Sequence, residues 1–343
     1  MSTLPDTYPA GTPLFAPGDS VDWLLALVLD VLWGTVLDVL ADLSELRMLD
    51  FPFMQRAYLA AICIGIIGPL VGSFLVHREM AMIGDTLAHS AFAGVAAGLF
   101  VNAAFSLSVP PLLTALLVAA VAALLVQTLV DYAGAYRDTS LAIVLTGSFA
   151  VGSVLVTATD GGIAVGINAY LFGSLATVSR INAGVLVAMS LVVGLIVTVA
   201  YRPLVYVTFD EVGALAAGLN VKRYNQLIAV LTAVVVVGAM QIMGVILVAA
   251  MLVIPVAATT WVGGFKRSIV AAVVVGQIAT VAGVTLSYVY DVAAGGTIVL
   301  VAIALYLALQ AGMSLRHRVI TRHSSSPATT EGAARVKPDS ERD

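Results

Sequence analysis

The sequence predicts an all-α fold, a polytopic membrane helix bundle of about nine transmembrane helices with one short helix on its inner face. Three observations predict it. Of 343 residues, 60 % are hydrophobic and only 10 % charged, with a mean hydropathy of +1.04, more apolar surface than a soluble core can hide. Apolar runs of the length a bilayer demands, roughly 17 to 25 residues, recur from Ala57 onward. The basic residues between those runs also fall almost entirely on one side, as the positive-inside rule expects.

Residues 1–20 hold Asp6, Asp19, several prolines and no Lys or Arg, so they read as a polar leader and not as a cleaved signal. Residues 21–40 are apolar but carry Asp22, Asp30 and Asp38 beside Trp23 and Trp33, the pattern of a helix lying along the outer interface. A first membrane span is the other reading of that stretch. Pro52 and Arg56 then precede the cleaner apolar runs, and the leader with its interfacial helix is placed at 1–51.

Spans are expected at 57–76, 84–103, 109–130, 141–157, 181–201, 225–243, 245–263, 269–289 and 297–315, within a transmembrane body at 52–315. Arg78, Arg137, Arg202, Lys222, Arg223, Lys266 and Arg267 lie on one side of this arrangement and Arg180 on the other, which makes the first side cytoplasmic. Pro69 and Pro255 interrupt the first and seventh spans, and such breaks are tolerated where a helix packs on protein or lines a cavity. A plain kink is the simpler reading of either proline. The second span is dense in Ala and Gly, as expected of a helix buried in the bundle. The Gly-rich segment between the fourth and fifth spans is too polar to cross. Residues 316–343, rich in Ser, Thr, Pro and mixed charge, read as a disordered cytoplasmic tail, and His317 and His323 there lack a partner at ligand spacing.

Within MAMIGDTLAHSAFAGVAAGL, Asp85 and His89 are four residues apart and share one helix face. Polar ionisable groups inside a membrane face protein, water or a substrate path, which makes the pair a functional candidate. The bland alternative has Asp85 capping its helix at the interface and His89 bonded to a backbone carbonyl. On the inner side, RPLVYVTFDEVGALAAGLNVKRY carries a capping-box spacing at Thr208 and Glu211, with Phe209, Val212, Leu215, Ala216 and Leu219 at helical period and Lys222 and Arg223 at the far end. That pattern fits a short helix that docks a soluble partner, or an ordinary surface connector.

Several chemistries are absent from the sequence. It contains no Gly-Lys pair and so no phosphate-binding loop of the usual kind, and no HExxH helix. Gly84-Asp85 lacks the preceding glycine of an intramembrane aspartyl protease. Cys63 stands alone, so neither a disulfide nor a cysteine metal cluster forms within one chain. No basic, aromatic-rich patch for nucleic acid is present.

The run PFMQRAYLAAICIGIIGPLVGSFLVHREMAMIGDTLAHSAFAGVAAGL resembles the opening of the membrane permeases of zinc- and manganese-type ABC metal importers. YLFGSLATVS, FDEVGALAAGLNV and MGVILVAAMLVIPVAATTWV are similar to later landmarks of that family, in the same order, so the resemblance covers about residues 52–315. It implies a homodimer in the cell membrane, served by a cytoplasmic ABC ATPase that uses the ATP and by an extracellular metal-binding protein that delivers Zn or Mn, with no resident cofactor and no enzymatic activity of the chain itself. It also implies that Asp85 and His89 face the metal path, and that Asp210, Glu211, Gly213 and Gly218 belong to a cytoplasmic coupling helix contacting the ATPase. Imidazole and carboxylate suit both ions, and two ligands form a transient site unlike a closed four-ligand zinc site. The acidic extension before residue 52 and the polar tail have no counterpart in the resemblance. A permease for metal chelates such as cobalamin or siderophores, and an ion-coupled secondary transporter, are the alternatives. The latter needs a coupling carboxylate that the later spans lack.

Overall fold

The computed structural model describes residues 51–133, 136–158, 170–174 and 179–324, together with Trp33 and Met48. Regular structure among them is helical throughout. The helices are α1 (Pro52–His77), α2 (Ile83–Phe105), α3 (Pro111–Ala133), α4 (Arg137–Thr157), α5 (Arg180–Val199), α6 (Tyr201–Phe209), α7 (Glu211–Ala216), α8 (Val221–Met243), α9 (Val245–Ala257), α10 (Phe265–Tyr290) and α11 (Ala294–Ser324).

Eight of these, α1 to α5, α8, α10 and α11, are long and apolar enough to cross a membrane. The expected span at 245–263 is different: α9 has 13 residues, a rise of about 20 Å against a hydrocarbon core of roughly 30 Å. Among the described residues, then, eight helices are of full span length and one apolar helix is too short to cross by itself. Gly244 sets the limit at one end, with φ 76° and ψ 157°, a conformation essentially restricted to glycine. Turns from Ala258 to Gly264 set it at the other. α9 begins where Met243 meets Gly295 in the first turn of α11, and ends before Phe265, which packs on Phe74 and His77 at the opposite end of α1. The chain therefore does turn back along the bundle at Gly244.

α1 is the central post. Pro52 stands at its start, where a missing N–H is harmless, and Pro69 lies inside it. Pro69 leaves the Gly65 carbonyl without its helical donor, and Gly276 of α10 packs directly on that carbonyl and the proline ring. Gln277 Nε2 donates to the Ile62 carbonyl at 2.7 Å, so α10 supplies polar contacts as well as apolar ones along this seam. Ile64, Ile67, Phe74, Ile83, Leu87, Ile228, Met240 and Ile242 form the fully buried heart where α1, α2 and α8 meet. At the outer end, Tyr58 Oη lies 2.7 Å from Thr285 Oγ1 and 3.9 Å from Met48 Sδ, and Trp33 Nε1 donates to the Gln55 carbonyl at 2.8 Å. Two residues ahead of the bundle thus rest on its first helix. The remainder of the interfacial helix expected at 21–40 lies outside the described residues.

At the inner end, His77, Phe209 and Phe265 stack edge-on, and Lys266 Nζ sits 5.3 Å from the Tyr201 ring centroid. Arg78 joins them, so the basic residues meet at one end as the positive-inside reading expects. Burial raises the Tyr201 phenol pKa. α11 runs on to Ser324, past the limit expected at 315, so residues 316–324 are helical. Residues 325–343 lie outside the described residues.

Candidate functional site

α2 carries the site, and small residues place it. A Cβ at Gly84 would meet the Leu252 side chain of α9 at 2.7 Å, and one at Gly72 of α1 would run into the Leu252 carbonyl. α9 is thus wedged between α1 and the first turn of α2. Farther along, Gly94 packs on the Ala115 backbone of α3, and Gly152 of α4 receives the Phe92 ring. Hydroxyls tie α2 to α4 as well: Thr86 Oγ1 donates to the Leu141 carbonyl at 3.4 Å, and Ser90 Oγ lies 2.9 Å from Ser148 Oγ. None of Thr86, Ser90 and Ser148 was singled out from the sequence. Their i, i+4 spacing on a small-residue helix is the signal that finds the first two.

Met82, Asp85 and His89 form the one edge of the inner half of α2 that packing leaves open. The structure brings Asp85 and His89 together, with His89 Nε2 3.7 Å from Asp85 Oδ1, within ion-pair range but long for a hydrogen bond. The Asp85 side chain is 40 % exposed and that of His89 18 %. No side-chain hydrogen bond caps α2, so Asp85 is not a capping residue, although its place in the first turn suits the helix dipole. His89 Nδ1 is buried without a hydrogen-bond partner, and its ring stands edge-on to Phe149 of α4 at 5.3 Å. Neither bland expectation for the pair is met. The nitrogen that faces the carboxylate is the other one, Nε2, so the edge presents one imidazole nitrogen and one carboxylate side by side, donor types that a divalent cation accepts. Among the described residues no group of three His, Cys, Asp or Glu converges, so one chain offers a two-ligand site. His89 is the seventh residue of α2, roughly 9 Å from its inner end by helical rise.

The inner segment departs from expectation in its detail. The chain breaks at Asp210 into α6 and α7, so Thr208 lies inside α6 and bonds the Leu204 carbonyl at 2.6 Å instead of capping α7. The cap is Asp210, whose Oδ1 accepts from Gly213 N at 2.7 Å, and a Cβ at Gly213 would strike that carboxylate. Gly218, with φ 81°, closes α7: Gly218 N bonds Leu215 O and Leu219 N bonds Ala214 O, both at 3.0 Å. Lys222 and Arg223 belong to the first turn of α8, behind the Asn220 cap, and not to the end of α7. Of the four candidate coupling residues, Asp210, Gly213 and Gly218 therefore shape α7, while Glu211 faces outward. The break also rotates the helix, so that Ala214 is buried while Val212 is 78 % and Leu215 58 % exposed. Glu211 lines a cavity of about 270 Å³ with His77, Arg78, Glu79, Thr208 and Asn225.

Comparison with known proteins extends this geometry. The profile described as the ABC 3 transport family matches residues 50–312. The manganese transport system membrane protein MntC of Halalkalibacterium halodurans is 34 % identical over 281 residues, covering 81 % of this chain and 92 % of that protein. The manganese import system permease protein ScaB of Streptococcus gordonii is 29 % identical over 259 residues, covering 75 % and 90 %. Among solved structures, PsaBC from Streptococcus pneumoniae in complex with Fab superposes with a TM-score of 0.70 at 28 % identity, over 79 % of this chain and 95 % of that one. The match takes in every helix from α1 to α10 and most of α11, with Asp85, His89 and the inner segment all inside it. This chain belongs to the ABC 3 transport family.

Proposed function

We propose that this protein is the multi-pass membrane permease subunit of an ATP-driven importer that carries a divalent transition metal ion, manganese or zinc, across the cell membrane. The observation that carries the reading is the open Asp85/His89 edge on a helix whose inner half is otherwise packed, in a chain whose relatives are named for manganese transport. The same names favour a metal ion over a metal chelate. Hydrolysis of ATP is assigned to a separate cytoplasmic subunit, since this sequence has no phosphate-binding loop. An extracellular metal-binding protein delivers the ion.

In this reading the ion meets an imidazole and a carboxyl group, two donors of the type both metals accept. A pair of ligands holds an ion loosely enough to release it, which passage requires. A second copy of the chain completes the site. α7 offers the ATPase its exposed Val212 and Leu215 and the carboxylate of Glu211. Reconstituting the permease in liposomes, with and without the ATPase, and following labelled manganese and zinc tests the reading. Uptake is expected only with both subunits and ATP. Uptake by the permease alone, independent of ATP, overturns it.

A further inference from the structure

The α1–α2 turn leads directly into the helix that carries the metal pair, and one side chain fastens it to the inner docking segment. Arg78, the residue that ends α1, donates from Nε to Thr208 Oγ1 at 2.9 Å and from Nη1 to Asn225 Oδ1 at 2.6 Å. Thr208 is two residues before Asp210, and Asn225 lies in the second turn of α8, so the two acceptors flank α7 in the chain. The Thr208 hydroxyl has its own proton committed to the Leu204 carbonyl, which leaves its lone pair for the guanidinium. His77 reinforces the joint, its ring between Phe209 of α6 and Phe265 of α10 and its Nδ1 2.8 Å from the Ser73 carbonyl.

The turn itself is stiff. Glu79 N bonds Val76 O at 3.1 Å, Met80 N bonds Leu75 O at 2.9 Å, and Ile83 N bonds Met80 O at 3.1 Å. Met80 is 5 % exposed, anchoring the loop from below. Asp85 follows seven residues after Arg78, in the first turn of α2. A displacement of α6 and α7 therefore has a hydrogen-bonded path into the start of α2. The opposite side of that start is braced by Leu252 at Gly84, so movement there shifts the Asp85/His89 edge against a fixed wall.

We propose that Arg78 is a positioning residue that couples the ATPase-docking segment to the metal pair, its guanidinium fork holding the α1–α2 turn to Thr208 and Asn225. The proposal rests on the reading of α7 as the docking helix given above. A lysine at this position keeps the charge but not the planar fork that reaches two acceptors on two helices.

The test uses the full complex of permease and ATPase in proteoliposomes and reads metal uptake per ATP hydrolysed. Arg78→Gln and Arg78→Lys are expected to lower that ratio about tenfold, the loss of hydrogen bonds to a charged group, while ATP hydrolysis stays within about twofold of wild type. Asn225→Ala and Thr208→Val, which remove the acceptors from the other side, are expected to lower the ratio in the same sense. Arg78→Gln combined with Asn225→Ala is expected to be no worse than Arg78→Gln alone, because both remove one joint. If Arg78→Gln fails to assemble, Asn225→Ala and Thr208→Val decide. A ratio unchanged in the assembled variants, or uptake and hydrolysis falling in parallel, overturns the role of Arg78. ATP-independent uptake by the wild-type permease alone overturns the underlying reading and the proposal with it.

Discussion

Two halves of this bundle are built to opposite rules. In α1, 72 % of the residues in the apolar stretch are buried, whereas in α4 the share is 22 % and in α11 17 %. α1, α2, α8 and α9 approach one another through glycine and alanine until backbones touch, as at Gly72 and Leu252. α4 and α5 instead carry Ile143, Val151, Val154, Leu191 and Leu195 on open faces, suited to acyl chains or a second copy. The contrast shows where precision is needed. Asp85 and His89 stand on the seam, with the rigid half behind them at Gly84 and the open half in front at Phe149. A side-chain pair held on one side only is both well positioned and reachable.

Substitutions sharpen that contrast. The largest effect is expected from Gly72→Val, which drives a branched side chain into the Leu252 carbonyl and is expected to destabilise by about 3 kcal/mol or more. Thermal unfolding in detergent checks it, and a melting temperature equal to wild type would show that the α1–α9 contact is not tight. On the seam, His89→Gln, which keeps much of the side-chain volume beside Phe149, is expected to cut metal uptake roughly a hundredfold while melting temperature and assembly hold, since the imidazole donor is lost but little packing. Unchanged transport with a lowered melting temperature would place His89 with the packed half instead. On the open half, Val212→Asp puts a charge on the exposed face of α7 proposed to meet the ATPase and is expected to weaken ATPase association about tenfold, measured by co-purification or titration. The smallest effect is expected from Gly194→Ala in α5, where nothing lies within 4 Å of an added Cβ. Gain of about 0.5–1 kcal/mol in stability from helix propensity is the expected outcome, opposite in sign to Gly72→Val. Equal damage from the two would erase the distinction between the halves.

Much of this was legible in the sequence because it depends on local composition. The expected spans at 57–76 and 84–103 fall inside α1 and α2, and the Asp85/His89 spacing placed both residues on one face. What was not legible depends on distant partners. The shortness of α9 follows from Gly244 meeting Leu171 and Gly173, which an apolar run from 245 to 263 does not reveal. The break at Asp210 turned the apolar residues of α7 outward, although Val212 and Leu215 sit at the period of a buried stripe. Thr208 read as a cap because its spacing to Glu211 fits one, yet its partner is Arg78, 130 residues earlier. Asn225 carried no signal at all, its role set by that same arginine 147 residues away.

At the end of the bundle away from the basic cluster, Gly173, Gly244 and Gly295 each face a main-chain carbonyl, those of Ile242, Leu171 and Met243 respectively, with no room for a methyl group at any of them. A knot made only of peptide groups has no intermediate versions. Evolution can adjust a side-chain contact by degrees, but here every replacement is a step off a ledge, so drift in this protein's descendants should flow around these three positions while neighbouring apolar sites exchange freely.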